Sequence, residues 1–212
     1  EALSEIENLI SIKEKIVIVT HYNPDGDAIG SSLGLKHFLR NRGVEAEIIV
    51  PNDFPKFLKW MPEAKKITIA EYKKRKAIEL IEAADVVFCL DFNTYTRIGM
   101  VGDWVSNSKA VKILIDHHQQ PGEFDFVYSD TNIPATSQMV YHFIEALGQE
   151  NLVDENTAKC LYTGIMTDTG GFRYRSTSAT THRIIANLIE KGANPAEISS
   201  NTWDNNTVSR LK

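Results

Sequence analysis

The stretch Lys15-Ile16-Val17-Ile18-Val19-Thr20-His21-Tyr22-Asn23-Pro24-Asp25-Gly26-Asp27 changes character halfway. Its first half is a short, continuous, β-branched run, the pattern of a strand buried on both faces. Its second half is polar, and Pro24 and Gly26 break any regular element there. A helix is expected over residues 28–42, with Gly43 as its stop. A core strand therefore feeds a polar turn, and the turn feeds a helix.

The same order recurs along the chain. Leu3, Ile6, Leu9 and Ile10 stand at helical spacing and predict an amphipathic helix over residues 2–12. Residues 46–50 read as a strand ended by Pro51, and residues 52–66 as an irregular connection with Phe54, Phe57 and Trp60. A helix is expected over 71–82, then strands over 85–90, 111–115 and 126–128. Helices follow over about 135–147, 155–166, 180–191 and 195–202. Strands alternating with helices imply an α/β fold, a mostly parallel sheet with helices on both faces. Neither an internal repeat nor a Gly/Ser-rich linker divides the sequence, so residues 1–212 are expected to form one domain.

Composition narrows the function. A hydrophobic fraction of 42% and a charged fraction of 24% exclude a disordered or fibrous chain. A formal net charge of −5 argues against wrapping long duplex DNA or coating an anionic membrane. It leaves room for a short phosphorylated substrate, because metal ions can supply positive charge locally. Cys89 and Cys160 sit among apolar residues, as buried thiols in a reducing cytosol do, so a cytoplasmic location is expected. Their spacing suggests neither a disulfide nor a metal role. No apolar run approaches the ~20 residues that span a bilayer. Glu1-Ala2-Leu3-Ser4-Glu5 lacks the pattern of a signal peptide, and a start on Glu1 suits a trimmed or processed chain.

Three expected core strands run into acids or histidines at their C-terminal ends. The first leads to His21, Asp25 and Asp27, the third to Asp91, and the fourth to Asp116, His117 and His118. In open parallel sheets the ligand crevice lies beyond those ends, so the groups should converge. Asp168 joins them from a helix end, before the turn-forming Gly170 and Gly171. Four carboxylates (Asp25, Asp27, Asp91, Asp168) crowded with two imidazoles (His21, His117) would repel and take up protons without a cation. Divalent metal removes that conflict. The donor set suits manganese, iron or zinc, and its carboxylate weight leans away from zinc alone. The groups suffice for two ions if one carboxylate bridges, and Asp91 is the candidate bridge. Two ions ~3.5–4 Å apart lower the pKa of a shared water and neutralise phosphate oxygens. Asp116 reads as an acceptor that orients a histidine rather than as a ligand. Singly these signals are weak, since an Asp-Gly-Asp is commonly a plain turn. Their combination at strand ends carries the weight.

With these residues placed, the chain resembles the DHH phosphoesterases. Residues 21–31 resemble the first motif of that family, and Asp91 with Arg97-Ile98-Gly99 resembles the second. Asp116-His117-His118 is similar to the trio that names the family, and Gly164 through Gly170 with Phe172-Arg173-Tyr174 resembles the fourth motif. The resemblance runs from about residue 13 onward. It implies a two-manganese site, with His21, Asp25 and Asp91 at one ion and Asp27, Asp91, His117 and Asp168 at the other. It implies that His118 faces the scissile phosphate, as substrate contact or general acid, with Asp116 and Arg97 as the other catalytic candidates.

The motifs, with Thr180-Thr181-His182, look most like the oligoribonuclease and 3′-phosphoadenosine-5′-phosphate phosphatase branch. Its substrates are very short RNAs, linear dinucleotides and bisphosphorylated adenosine; some relatives act on cyclic dinucleotides. That branch carries a second, substrate-gripping domain of ~110–130 residues. The chain ends at Lys212, so the resemblance implies the catalytic domain alone, with residues 194–212 as the start of a linker. The expected partner is a short nucleotide or oligonucleotide, with no long duplex DNA and no membrane; a homodimer is left open. Two alternatives stand beside this reading: a manganese-dependent inorganic pyrophosphatase, and a non-catalytic nucleotide-binding module. A redox dinucleotide domain would need a Gly-x-Gly-x-x-Gly after the first strand, which is not there. Phe92, Tyr95 and Tyr174 could stack a base or pack in the core.

Overall fold

Strands that are β-branched at every position need cover on both faces, and the chain supplies it. The computed structural model describes residues 2–12 and 15–204, so the last part of the linker expectation lies outside the described residues. Six strands form one sheet: β1 (Ile16–Thr20), β2 (Ala46–Val50), β3 (Thr68–Ile69), β4 (Val86–Leu90), β5 (Val111–Asp116) and β6 (Phe126–Ser129). Their order is β3-β2-β1-β4-β5-β6, and every pairing is parallel. Ile18 lies beside Ile48 on one side and Phe88 on the other.

The two-residue period of a strand sorts its side chains between two cores. Ile16, Ile18, Ile48, Phe88, Ile113 and Ile115 face one side. There they pack with α1 (Ala2–Ile12), α2 (Gly26–Asn41), α5 (Thr136–Ala146), α6 (Glu155–Asp168) and α7 (Ala179–Glu190). Val17, Val19, Ile49, Val87, Cys89 and Leu114 face the other, with α3 (Lys74–Ala83) and α4 (Met100–Asn107). Cys89 and Cys160 are free, buried thiols, and burial pushes both above the usual thiol range. No helix among the described residues is long and apolar enough to cross a membrane.

The structure departs from the sequence reading in four places. α2 begins on Gly26, expected to break any regular element, because the Asp25 side chain caps the helix there. The 52–66 connection contains two short 3-10 turns and then the unforeseen edge strand β3. The helix expected from residue 71 begins at Lys74, because the Ala70 and Glu71 amides donate to the Val50 and Pro51 carbonyls instead. α4 was not expected; its Gly102, Ser106 and β-branched valines are poor helix formers, and burial of Val101 and Val105 holds it. At the far end, α8 (Pro195–Ser199) is capped by Asn194 and runs into a π-helical turn over Ser200–Asp204.

Gly26, Gly30 and Gly34 fall four apart on α2 and form a bare stripe against α6. A Cβ on Gly30 would lie 2.7 Å from the Cys160 carbonyl oxygen and 2.9 Å from the Gly164 Cα. The helices therefore meet backbone to backbone. That contact holds Asp27, in the first turn of α2, near Asp168, the last residue of α6. Gly30→Ala should lower stability by about 1–3 kcal/mol, since backbone atoms must part to admit the methyl; urea denaturation measures it.

Candidate metal centre

The strand order reverses between β1 and β4, and the polar groups gather at that switch point. Beyond β1 the chain is pinned on both sides. The Tyr22 amide donates to the Arg97 carbonyl at 2.8 Å. Asn23, in the left-handed region at φ 56°, exchanges two hydrogen bonds with Asn52 at 2.7 and 2.8 Å. Asp25 then caps α2, its Oδ1 accepting from the Asp27 and Ala28 amides at 3.0 Å each.

Asp91 follows β4 directly in a left-handed conformation, φ 65°, which costs a non-glycine residue about 1 kcal/mol. Its carboxylate is buried and shared. Oδ2 lies 3.4 Å from His21 Nε2, while Oδ1 lies 3.5 Å from His117 Nε2 and accepts from the Thr136 hydroxyl at 2.8 Å. Asp27 is also buried, and it sits on the N-terminus of α5, accepting from the Thr136 and Ser137 amides. Exposed amides and the helix dipole favour an anion there.

Backbone carbonyls fix the imidazoles. His21 Nδ1 lies 2.8 Å from the Tyr22 carbonyl and His117 Nδ1 3.1 Å from that of Ile133. A carbonyl only accepts, so each Nδ1 carries the proton and each Nε2 turns toward carboxylates. His117 Nε2 lies 3.6 Å from Asp168, and His21 Nε2 lies 3.8 Å from Asp25. Donor atoms gather within 4.8 Å of one another in three overlapping sets: His21, Asp25, Asp91; Asp27, His117, Asp168; and Asp91, His117, His118.

The electrostatics show a cluster that wants cations. Burial alone would lower the pKa of both histidines, but carboxylates outweigh it: His21 rises to about 10 beside Asp25 and Asp91, and His117 to about 9 beside Asp91, Asp27 and Asp168. Burial, then the charges of Asp91 and Asp168, push Asp27 well above the carboxylate range. Burial and Asp91 raise Asp168 to about 6. Burial works against Asp91 too, yet hydrogen bonds and charge from His117 and His21 hold its carboxyl below the usual range. The cluster thus keeps protons on imidazoles and carboxyls that divalent ions would displace, and the mixed oxygen and nitrogen donors fit such ions.

His118 and Asp116 pair with each other: His118 Nδ1 lies 2.7 Å from Asp116 Oδ1, and Asp116 is fully buried. Asp116 stands outside all three donor sets. Arg97 is exposed, and its carbonyl braces Tyr22. Sequence reasoning missed Thr136, Ser137 and Asn52. Two hydroxyl residues opening an apolar helix carry no local sign of a distant partner; the cap position is Ala135, with no side-chain cap bond, and Thr136 points at Asp91.

A parallel sheet whose switch point gathers carboxylates and imidazoles defines a metal-site α/β protein. Residues 15–165 match the DHH family, N-terminal domain, and the chain belongs to that family. A bifunctional oligoribonuclease and PAP phosphatase NrnA of Thermus thermophilus is 36% identical over 194 residues, covering 91% of this chain and 55% of that protein. The NrnA protein of Bacillus subtilis is 27% identical over 206 residues, 95% of this chain and 61% of its own. The crystal structure of an exopolyphosphatase-related protein of Bacteroides fragilis superposes with a TM-score of 0.96 at 42% identity, covering 99% of this chain and 62% of that one. The chain therefore spans a little over half the length of the curated relatives it matches.

Thr136→Val removes the hydroxyl donor from a buried carboxylate and should cost about 1.5–3 kcal/mol, the range for a hydrogen bond to a charged group. Thr136→Ser should restore most of it. Chemical denaturation of the three proteins checks both.

Proposed function

We propose that the chain is the catalytic part of a metal-dependent phosphoesterase that cleaves short nucleotide phosphoesters, namely short oligoribonucleotides, linear dinucleotides or 3′-phosphoadenosine-5′-phosphate. The observation that carries this reading is Asp91, whose two oxygens face two separate imidazoles. A carboxylate so placed can serve two ions at once. His21, Asp25 and Asp91 would hold one, and Asp27, Asp91, His117 and Asp168 the other, with manganese best suited to the mixed donors. A bound pair supplies a water acidified to near-neutral pKa and positive charge for the phosphate oxygens. The substrate class rests on the NrnA relatives, and the match covers nearly all of this chain.

The chain's own groups do the rest. The Tyr22 and Ile133 carbonyls hold His21 and His117 in the tautomer that presents Nε2. Asp116 occupies His118 Nδ1, which leaves His118 Nε2 to touch the substrate phosphate or to pass a proton to the leaving oxygen. Arg97, exposed next to the braced Tyr22 loop, offers a guanidinium to a further phosphate. Residues 1–212 form the catalytic domain in this reading. The rest of the substrate grip is assigned to a second domain, since this chain matches only 55% of the Thermus thermophilus relative. A cytoplasmic location belongs to the same reading, supported by two free buried thiols.

Product analysis with manganese on a panel of short RNAs, linear dinucleotides, bisphosphorylated adenosine and pyrophosphate tests this, best on a chain extended past residue 212. Turnover of the nucleotides is expected, and dominant turnover of pyrophosphate would overturn the reading. Asp91→Ala should lower turnover by more than the ~10–100-fold typical of losing an outer partner of a metal site, and Arg97→Ala by much less; an Asp91→Ala protein with half its activity contradicts the bridge. Manganese affinity should also rise with pH. The raised histidines, about 10 and 9, are protonated at neutral pH, so the metal must displace their protons. Each proton displaced strengthens binding by about tenfold per pH unit. Titrations at pH 5 and pH 8 measure it, and equal affinity counts against histidine ligation.

A further inference from the structure

Directly after Asp168 the backbone does something the cluster does not require. Gly170, Gly171 and Phe172 have φ of 57°, 72° and 66°, the only run of consecutive left-handed residues among those described. Phe172 has no glycine's freedom, and a non-glycine residue held there points to a use for the strain. The turn is firmly built. The Arg173 and Tyr174 amides both donate to the Thr169 carbonyl, at 3.0 and 3.1 Å. The Thr169 hydroxyl accepts from the Phe172 amide at 3.0 Å, and the Phe172 ring packs edge-on to Tyr162 with centroids 5.6 Å apart.

What the turn delivers is Tyr174. Its ring lies over Gly170, where a Cβ would fall 2.5 Å from the ring carbon Cζ. The other side of the residue faces water, and Tyr174 is 59% exposed. Gly170 stands two residues past Asp168, so the ring packs on the turn that leads out of the cluster. Two other aromatic residues near strand ends do not share this placement. Phe92 is fully buried, and Tyr95 packs on Phe124 at 4.8 Å. Arg173 and Arg175 flank Tyr174 on the exposed turn, and Arg173 Nε donates to the Gly170 carbonyl at 2.6 Å, which fixes the root of its guanidinium beside the ring. An exposed aromatic ring with an arginine on each side in the chain, on the turn that follows Asp168, has the chemistry of a single-stranded nucleic-acid platform.

We propose that Tyr174 is a stacking platform for a nucleobase of the nucleotide or short single-stranded oligonucleotide whose phosphate sits at the Asp168 end of the cluster. This rests on the nucleotide reading of the preceding subsection and deepens it. The base lies on the exposed ring face, and Arg173 meets a neighbouring phosphate. Stacking tolerates every base, so the platform selects nucleotides over inorganic phosphates without reading sequence.

The test uses the full chain loaded with manganese and three variants, Tyr174→Ala, Tyr174→Phe and Tyr174→Trp. The substrates are a linear dinucleotide and its analogue lacking one base. Tyr174→Ala should raise KM for the dinucleotide by about 5- to 150-fold, the range for losing one stacked base. It should leave kcat, manganese affinity and the KM of the abasic analogue unchanged, while Phe and Trp preserve the wild-type KM. An unchanged KM in Tyr174→Ala, or equal losses on both substrates, overturns the platform. If the wild type cleaves neither substrate, the nucleotide reading fails by itself. The platform is then judged by binding: Tyr174→Trp fluorescence, compared with wild type, should be quenched by the dinucleotide, and no added quenching overturns it.

Discussion

A buried carboxylate cannot sit between two imidazole lone pairs and two other carboxylates unless something positive lies among them. In this chain the conflict centres on Asp91. Its oxygens face His21 and His117, and Asp27 and Asp168 crowd the same space. Protons relieve the conflict in the free chain, where both imidazoles are raised and Asp91 stays ionised. Divalent ions relieve it better, because one charge centre answers several donors at once. Much of the fold can be ordered by how it keeps those groups close.

Three devices do so, each on a different scale. The left-handed backbone at Asp91 swings one side chain off the end of β4 into the crevice. The first turn of α5 grips both Asp27 and Asp91 through Thr136, so two carboxylates from distant stretches share one anchor. The bare stripe on α2 lets two helices touch along their backbones, which sets how far Asp27 can stand from α6. The Asn23–Asn52 amide pair plays a smaller part, tying the loop after β1 to the end of β2.

The sheet, its two covered faces and the meeting of six acid and imidazole side chains were legible in the sequence. Buried parallel strands write themselves as unbroken β-branched runs, and polar residues at their ends stand out against that background. What stayed hidden depends on tertiary contact. Thr136 and Ser137 went unread, because nothing local says that an aspartate over a hundred positions earlier accepts their amides. Edge strand β3 is two residues long and too short to show a period. α4 lacks strong helix formers and exists because its valines find a core. Tyr174 was open between base stacking and core packing, and only the turn shows it lying over Gly170 with its other side exposed.

The clasp between α2 and α6 also bears on how far water reaches the donor groups. Helices joined along their backbones do not part readily, so buried Asp27 is closed off on that side. Asp25, by contrast, has a side chain 58% exposed, against 31% for Asp168, while Asp27 is almost fully enclosed. The donor groups therefore differ in how far water reaches them. A group held by Asp25 would stand nearer to solvent than one held by Asp27.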